Sequence, residues 1–318
     1  MNFNVNNFLA QGEQQRATYR DERRAEEKEL IERQDAGIFE ITGNPEQYIQ
    51  YLEMQARNIR YSPGNNVLIM QSTPQAGYVF SKAFWRKAGR NVSFEEERNA
   101  IRILRPKEYE GIRKDTFISE QGEYFAAGER YSGKSNQIHF VYDESQTVGT
   151  PYKAPTSIGE NETEKAALFQ NLYRMCSAPI KSAEDIPSPA VYDPQTFTIY
   201  IRPDLDESQF FAALSGECVQ ASLHNYGKNR DYRYEDFTLD AASISYMLCK
   251  RYGIDAEPPG ILSEVGHVYD GLPIEDRRFI LNANQELTEN MTKRLEWGLN
   301  RQAEKPRRVT PARRQGAR

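Results

Sequence analysis

The strongest constraint on this chain is a stretch that packs poorly. Residues 147–163, TVGTPYKAPTSIGENET, are rich in Pro, Gly, Thr and Ser, the composition of a connection between packed segments. In a chain of 318 residues, it leaves a domain-sized piece on either side. The two pieces carry different patterns. Before it, helical segments come first and alternating segments follow: Ile101 and Ile103 flank Arg102, and Ile138, Phe140 and Tyr142 alternate with His139 and Val141. That order predicts an α+β fold. After it, the pattern is mainly helical, with one short strand hairpin over 191–201, turning at Asp193-Pro194 and placing Phe197, Ile199 and Ile201 on one face.

Local signals sharpen this. Residues 13–34 are highly charged with almost no apolar face, which predicts a solvated helix or a partly disordered arm. Asn44, Pro45 and Gln47 suit the start of a helix over 44–58. Short helices are expected over Asn65–Gln71 and 82–89, the latter ended by Gly89. The stretch 106–135 reads as hairpin and loop. Beyond the connection, helices are expected over 163–177, after the cap pair Asp206 and Gln209, over 237–252 ahead of Gly253, and within 274–300. The resulting division is an arm over 1–35, a domain over 36–150, a linker over 151–162, a domain over 163–300 and a disordered basic tail over 301–318.

Composition narrows the function classes. No stretch approaches ~18 consecutive apolar residues, so no membrane span is expected. The first residues lack a basic start followed by an apolar run, so no secretory leader is expected. Cys176, Cys218 and Cys249 are odd in number and far apart in sequence, which predicts reduced, buried thiols in a cytoplasmic protein. The net charge of -5 is unevenly spread. From Arg57 to Lys114 there are 12 Lys and Arg against 5 Asp and Glu, and from Arg301 to Arg318 there are 7 against 1. A basic segment and a basic tail permit contact with nucleic acid.

Two stretches point to chemistry. The first is the helix Leu214–His224, LSGECVQASLH. A zinc peptidase presents His-Glu-x-x-His on such a helix, with both histidines on one face and the glutamate as general base. Here Gly216 and Gln220 stand in the histidine positions and Glu217 keeps the base position. Glycine has no ligand atom, and a neutral amide suits Zn²⁺ poorly. His224 continues the same face one turn later. Taken alone, Glu217 and His224 also fit an ordinary helix surface. The second stretch, 57–92, interleaves bases with aromatics. Arg57, Arg60, Lys82, Arg86, Lys87 and Arg90 suit phosphates, while Tyr61, Tyr78, Phe80, Phe84 and Trp85 suit stacking against bases. Composition alone favours the plainer reading, with Trp85 and Phe84 as core.

Several motifs then keep one order along residues 44–300. They are Tyr61-Ser62-Pro63-Gly64-Asn65-Asn66-Val67-Leu68, Trp85 to Val92 with Gly89-Arg90, Ile101-Arg102-Ile103-Leu104-Arg105-Pro106, and Asp143 to Gly149. Leu223-His224 follows, then Ser243, Tyr246, Cys249, Gly253, Ile254 and Asp255. This series resembles the plasmid antirestriction proteins of the ArdC family, whose wider kin is the ImmA/IrrE peptidase group. The resemblance implies an N-terminal α+β domain that binds single-stranded DNA and a C-terminal zincin-like domain. It implies a DNA path through Arg57, Arg60, Tyr61, Asn65, Lys82, Trp85, Arg86, Lys87, Arg90 and Arg102. It places the third metal ligand at Ala242, so Gly216, Gln220 and Ala242 would all be altered. The expectation is a pseudo-metallopeptidase with a vestigial Glu217, no cofactor and no catalytic activity. A site rebuilt from Glu217, His224 and Asp240 is the enzymatic alternative, and a protein-interaction module without DNA binding is the other. Glu95, Glu96 and Glu97 replace the family's Lys/Gly-rich turn and would repel a phosphate path there. A mobile-element role, with single-stranded DNA and an unidentified protein as partners and no membrane, completes the expectation.

Overall fold

The computed structural model describes residues 5–119 and 122–303. In chain order the elements are α1 (Val5–Gly43), α2 (Pro45–Arg57), α3 (Pro63–Ser72), β1 (Val79–Phe80), α4 (Lys82–Lys87), β2 (Arg90–Val92), β3 (Ile101–Ile112), β4 (Phe117–Ile118), β5 (Tyr124–Phe125), β6 (Arg130–Asp143) and β7 (Thr147–Gly149). There follow α5 (Glu162–Met175), β8 (Ile180–Ser182), β9 (Ala190–Asp193), β10 (Thr198–Ile201), α6 (Glu207–His224), α7 (Thr238–Tyr252), α8 (Val265–Val268) and α9 (Ile274–Ala303). The fold is α+β. It divides into two compact units, Met1–Ile41 with Tyr61–Tyr152, and Thr42–Arg60 with Lys153–Arg318. Residues 304–318 of the expected basic tail lie outside the described residues. No helix among the described residues is long and apolar enough to cross a membrane.

The first unit is organised by one antiparallel ribbon. β3 and β6 pair without a break from Ile101↔Val141 to Ile112↔Arg130, and β1 joins the inner end of β6. Its inner residues are apolar and buried, and its outer half is exposed on both faces. Sequence alternation therefore marks only the inner half; beyond Leu104 there is no buried face to impose it. Phe140, expected on the buried face, is exposed. The charged arm is one long helix with a buried stripe in its C-terminal half. Leu30, Ile38 and Ile41 are buried, and Leu30 packs with Leu68, Leu104 and Ile138. Glu26 of α1 pairs with Arg102 at 3.0 Å. α3 starts two residues before the expected Asn65, because the Ser62 hydroxyl accepts from the Asn65 N–H and Pro63 fits the first turn.

The second unit packs helices on a three-stranded sheet of order β8-β10-β9, with β10 parallel to β8 and antiparallel to β9. Helix α2 belongs here and not to the 36–150 segment to which the sequence analysis assigned it. Its buried face of Tyr48, Tyr51, Leu52 and Ala56 packs on α7. Tyr48 OH lies 2.9 Å from Ser243 Oγ, Tyr246 OH donates to Glu53, and Arg251 donates to the Ala56 carbonyl. α6 carries the expected reciprocal cap between Asp206 and Gln209, and α7 ends at Gly253, whose φ of +68° suits glycine. The cysteines need a correction. Cys249 and Cys218 are buried, but Cys176 is only partly so.

Candidate functional site

α6 places Glu217, Gln220 and His224 along one flank, facing β9 and the segment before α7. Each is buried: Glu217 is 9% exposed, Gln220 1% and His224 8%. Glu217 is held at both oxygens. Tyr192 N–H donates to Oε2 at 2.8 Å, and Tyr234 OH donates to Oε1 at 2.8 Å. Burial raises the Glu217 carboxyl to about 7, against the lowering effect of those two donors. Gln220 is held at both ends of its amide. Tyr232 OH donates to Oε1 at 2.7 Å, and Nε2 donates to the Tyr234 carbonyl at 3.2 Å. Burial and then the Glu217 charge push the Tyr232 and Tyr234 hydroxyls above their ordinary range, so both stay protonated donors.

His224 sits in a stack of rings. Phe197 lies 5.3 Å away and nearly parallel, and Tyr232 lies 4.6 Å away on a 22° tilt, with Phe237 beyond Tyr232. Tyr192 OH is 2.9 Å from its Nδ1. Phe197 reaches this position with φ of +52°, unusual for a bulky residue. The Asp193 side chain organises the turn before it, accepting from Gln195 N–H and the Thr196 hydroxyl. Phe197 is therefore in the turn, and only Ile199 and Ile201 of the expected strand face are buried strand residues.

The residues present do not fit a zinc ion. Gly216 and Ala242 have no donor atom, and Gln220 has both ends of its amide engaged. The alternative trio is not gathered either. Asp240 accepts from Asn284 at 2.7 Å, and no group of three His, Cys, Asp or Glu among the described residues could hold a metal. Tyr192, Tyr232 and Tyr234 were missed by the sequence reading. They lie outside the helix motif, and a tyrosine that bonds a helix side chain from a separate segment leaves no spacing signal.

The ten residues expected on a DNA path are distributed over both units. Arg57 and Arg60 lie in the second unit and the other eight in the first. Arg60, Lys82, Arg86 and Lys87 are exposed, but Lys82 is paired with Glu97. Tyr61 OH donates to the Val79 carbonyl. Trp85 is fully buried, its indole N–H donating to the Tyr142 carbonyl at 2.9 Å. It packs with Phe80, Phe84 and Tyr152, so no ring face is open to a base. Asn65 pairs with β3: its Nδ2 donates to the Leu104 carbonyl at 2.8 Å and its Oδ1 accepts from the Leu104 N–H at 3.0 Å. The Arg90 guanidinium donates to Thr147 Oγ1 and to the carbonyls of Thr147 and Thr150. Arg102 carries the Glu26 ion pair. Trp85, Asn65 and Arg90 thus build the unit.

The outer ribbon presents another surface. Paired residues share a face, and faces alternate along each strand. The register puts Arg105, Lys107, Tyr109 and Gly111 with Gln137, Ser135, Gly133 and Tyr131 on one face, without an acidic residue. Glu108 and Glu110 lie on the other, with Lys134 and Arg130. Each tyrosine covers a cross-strand glycine. A Cβ at Gly133 would sit 2.5 Å from Tyr109 Oη, and one at Gly111 2.7 Å from the Tyr131 ring. The rings meet edge to face at 6.1 Å, and Tyr109 and Tyr131 are 41% and 37% exposed. At the tip, just beyond the ladder, the Arg113 guanidinium lies 5.1 Å from the Tyr131 ring and pairs with Glu129 at 3.7 Å. Arg105 and Lys107 are exposed and make no ion pair among the described residues.

No protein-family model matches the sequence, and no curated protein matches it. Solved structures similar to it include two of one protein. The metal-free crystal structure of the antirestriction ArdC protein from plasmid R388 has a TM-score of 0.46 and 16% identity, over 76% of this chain and 86% of that one. The Mn(II)-bound structure of that protein has a TM-score of 0.44 and 15% identity, over 75% and 85%.

Proposed function

We propose that this chain binds single-stranded DNA through its first unit, as a non-enzymatic antirestriction-like accessory protein of a mobile element acting in the cytoplasm. The observation that carries the reading is the ribbon face from Arg105 to Gly111, whose paired residues include no acid. Arg105 and Lys107 offer unpaired positive charge beside Tyr109 and Tyr131. Phosphates supply a salt-dependent attraction to such charges, and base–aromatic stacking adds ~1–3 kcal/mol per base in any sequence. A single strand can bring both groups to this face, whereas a duplex keeps its bases stacked. The antirestriction part rests on the ordered motifs from Tyr61 to Asp255. In the second unit, α6 serves as scaffold, with Gln220 held by Tyr232 and the Tyr234 carbonyl and Glu217 by the Tyr234 hydroxyl.

Fluorescence anisotropy of a labelled ~30-nucleotide single strand against the matching duplex, at low and raised salt, tests the reading. Preference for the single strand, weakening with salt, is expected. Equal affinity for the duplex, or no binding at low salt, would overturn it.

A further inference from the structure

The ribbon continues past its ladder. Beyond Ile112 and Arg130 the chain makes a smaller hairpin of β4 with β5, in which Phe117 pairs with Phe125 and Ile118 with Tyr124. Arg113 joins the two parts. Its N–H donates to the Glu129 carbonyl, and its carbonyl accepts from the Gly128 N–H. Two residues past Gly111, it falls on the same face as Arg105, Lys107 and Tyr109, and its guanidinium meets the Tyr131 ring there. That guanidinium also lies 4.0 Å from the Phe125 ring and 5.2 Å from the Phe117 ring. One side of the small hairpin is thus engaged at the outer end of the ribbon face.

The other side is open. Paired residues share a side and neighbours alternate, so Ile118 and Tyr124 stand on the side turned away from Arg113. They are 68% and 69% exposed. Ile112 and Phe117 are exposed too, so four large apolar side chains meet solvent between Ile112 and Tyr124. Such a concentration marks a contact surface. The hairpin that carries it is well held. The Phe117 and Phe125 rings lie 5.2 Å apart, the Ala127 N–H donates to the Thr116 hydroxyl, and the Ser119 N–H donates to the Glu123 carbonyl. Charge does not define this end. Arg113 pairs with Glu129, and from Ile112 to Phe125 two basic residues, Arg113 and Lys114, stand against Asp115, Glu120 and Glu123. The ribbon offers charge and rings; the hairpin offers apolar contact next to them.

We propose that the β4–β5 hairpin receives the end of a duplex, so that the preferred ligand is a junction of single- and double-stranded DNA. This rests on the reading of the ribbon face as a single-strand site, with which the hairpin is continuous through Arg113. The single strand lies along Arg105, Lys107, Tyr109 and Tyr131. Where it enters a duplex, the last base pair stacks on Ile118 and Tyr124. A duplex end has one base-pair face without a neighbour, and apolar side chains are the groups that cover or wedge such faces. Inside a duplex every face is already covered, and a lone strand has no pair to present.

The test is fluorescence anisotropy of the full chain with three labelled probes that share one single strand of about 12 nucleotides. One is the strand alone; the others carry it as a 5′ or a 3′ overhang on a short closed stem. One overhang polarity should bind about fivefold or more tightly than the strand alone. That advantage should persist at raised salt, because apolar contact releases no counterions. Ile118→Ser with Tyr124→Ser, shown by circular dichroism to be folded, should bring the junction down to the affinity of the strand alone. Junction probes that bind no tighter than the strand would overturn the proposal and leave the ribbon reading standing. An advantage that survives the double variant, or that vanishes at raised salt, would overturn it as well, since stem phosphates would then supply it. Absence of all single-strand binding would overturn both.

Discussion

Asn65 performs the work of a strand residue from a helix. Its amide completes both backbone bonds of Leu104, whose neighbours form the core of the first unit. Asn65→Ala leaves that buried N–H and carbonyl unpaired, a cost of about 2–4 kcal/mol, and urea unfolding should show the drop in midpoint. The type of residue 65 was legible in the motif and its role was not, because an asparagine suits a phosphate and a backbone equally well until burial decides. Trp85 follows the same logic. Glu217 gives a pH signature. Burial lifts its folded carboxyl to about 7, above an unfolded value of roughly 4.3. Between those values the folded state retains a proton that the unfolded state has lost. The stabilising share is full below the unfolded value and disappears as pH rises through 7. Glu217→Gln should therefore gain stability on the wild type at pH 8, by about 2–3 kcal/mol, and lose that advantage near pH 4. Denaturant titrations at both pH values check this; an advantage independent of pH would contradict the assignment.

At the scale of elements, caps and terminators were legible because they act within a few residues: Asn44, Asp206 with Gln209, and Gly253 all hold their expected places. The ribbon was half legible. Ile101, Ile103 and Val141 showed the inner ladder, but the outer half has no buried side and so no alternation of polarity. What marked it was the repeat of Tyr109 with Gly111 and Tyr131 with Gly133, read only once the register is known. On α6 the lack of a donor atom at Gly216 was legible, and the tyrosines that hold its flank were not, since Tyr232 and Tyr234 reach Gln220 and Glu217 from a segment beyond the helix. Titration of chelator-treated protein with Zn²⁺ in a calorimeter should show no stoichiometric site on this helix. A one-to-one isotherm that Glu217→Gln abolishes would contradict the account of α6.

At the scale of the whole molecule, the division into two units explains why charge counted along the chain was an incomplete guide. The basic stretch from Arg57 to Lys114 runs from one unit into the other. Within the first unit, several of its charges are already engaged: Lys82 by Glu97, Arg102 by Glu26, and Arg90 by carbonyls of the segment around Thr147. Charges of that stretch left for a partner include Arg86 and Lys87 on α4, Arg105 and Lys107 on the ribbon, and Arg98 and Lys114 in the connecting loops. The most direct measurement compares single-strand affinity, by anisotropy at fixed salt, for Arg105→Glu with Lys107→Glu against Arg86→Glu with Lys87→Glu, each pair confirmed as folded. The ribbon pair should lose about tenfold or more and flatten the dependence on salt, while the α4 pair changes little. A loss confined to the α4 pair would contradict the ribbon as the binding face.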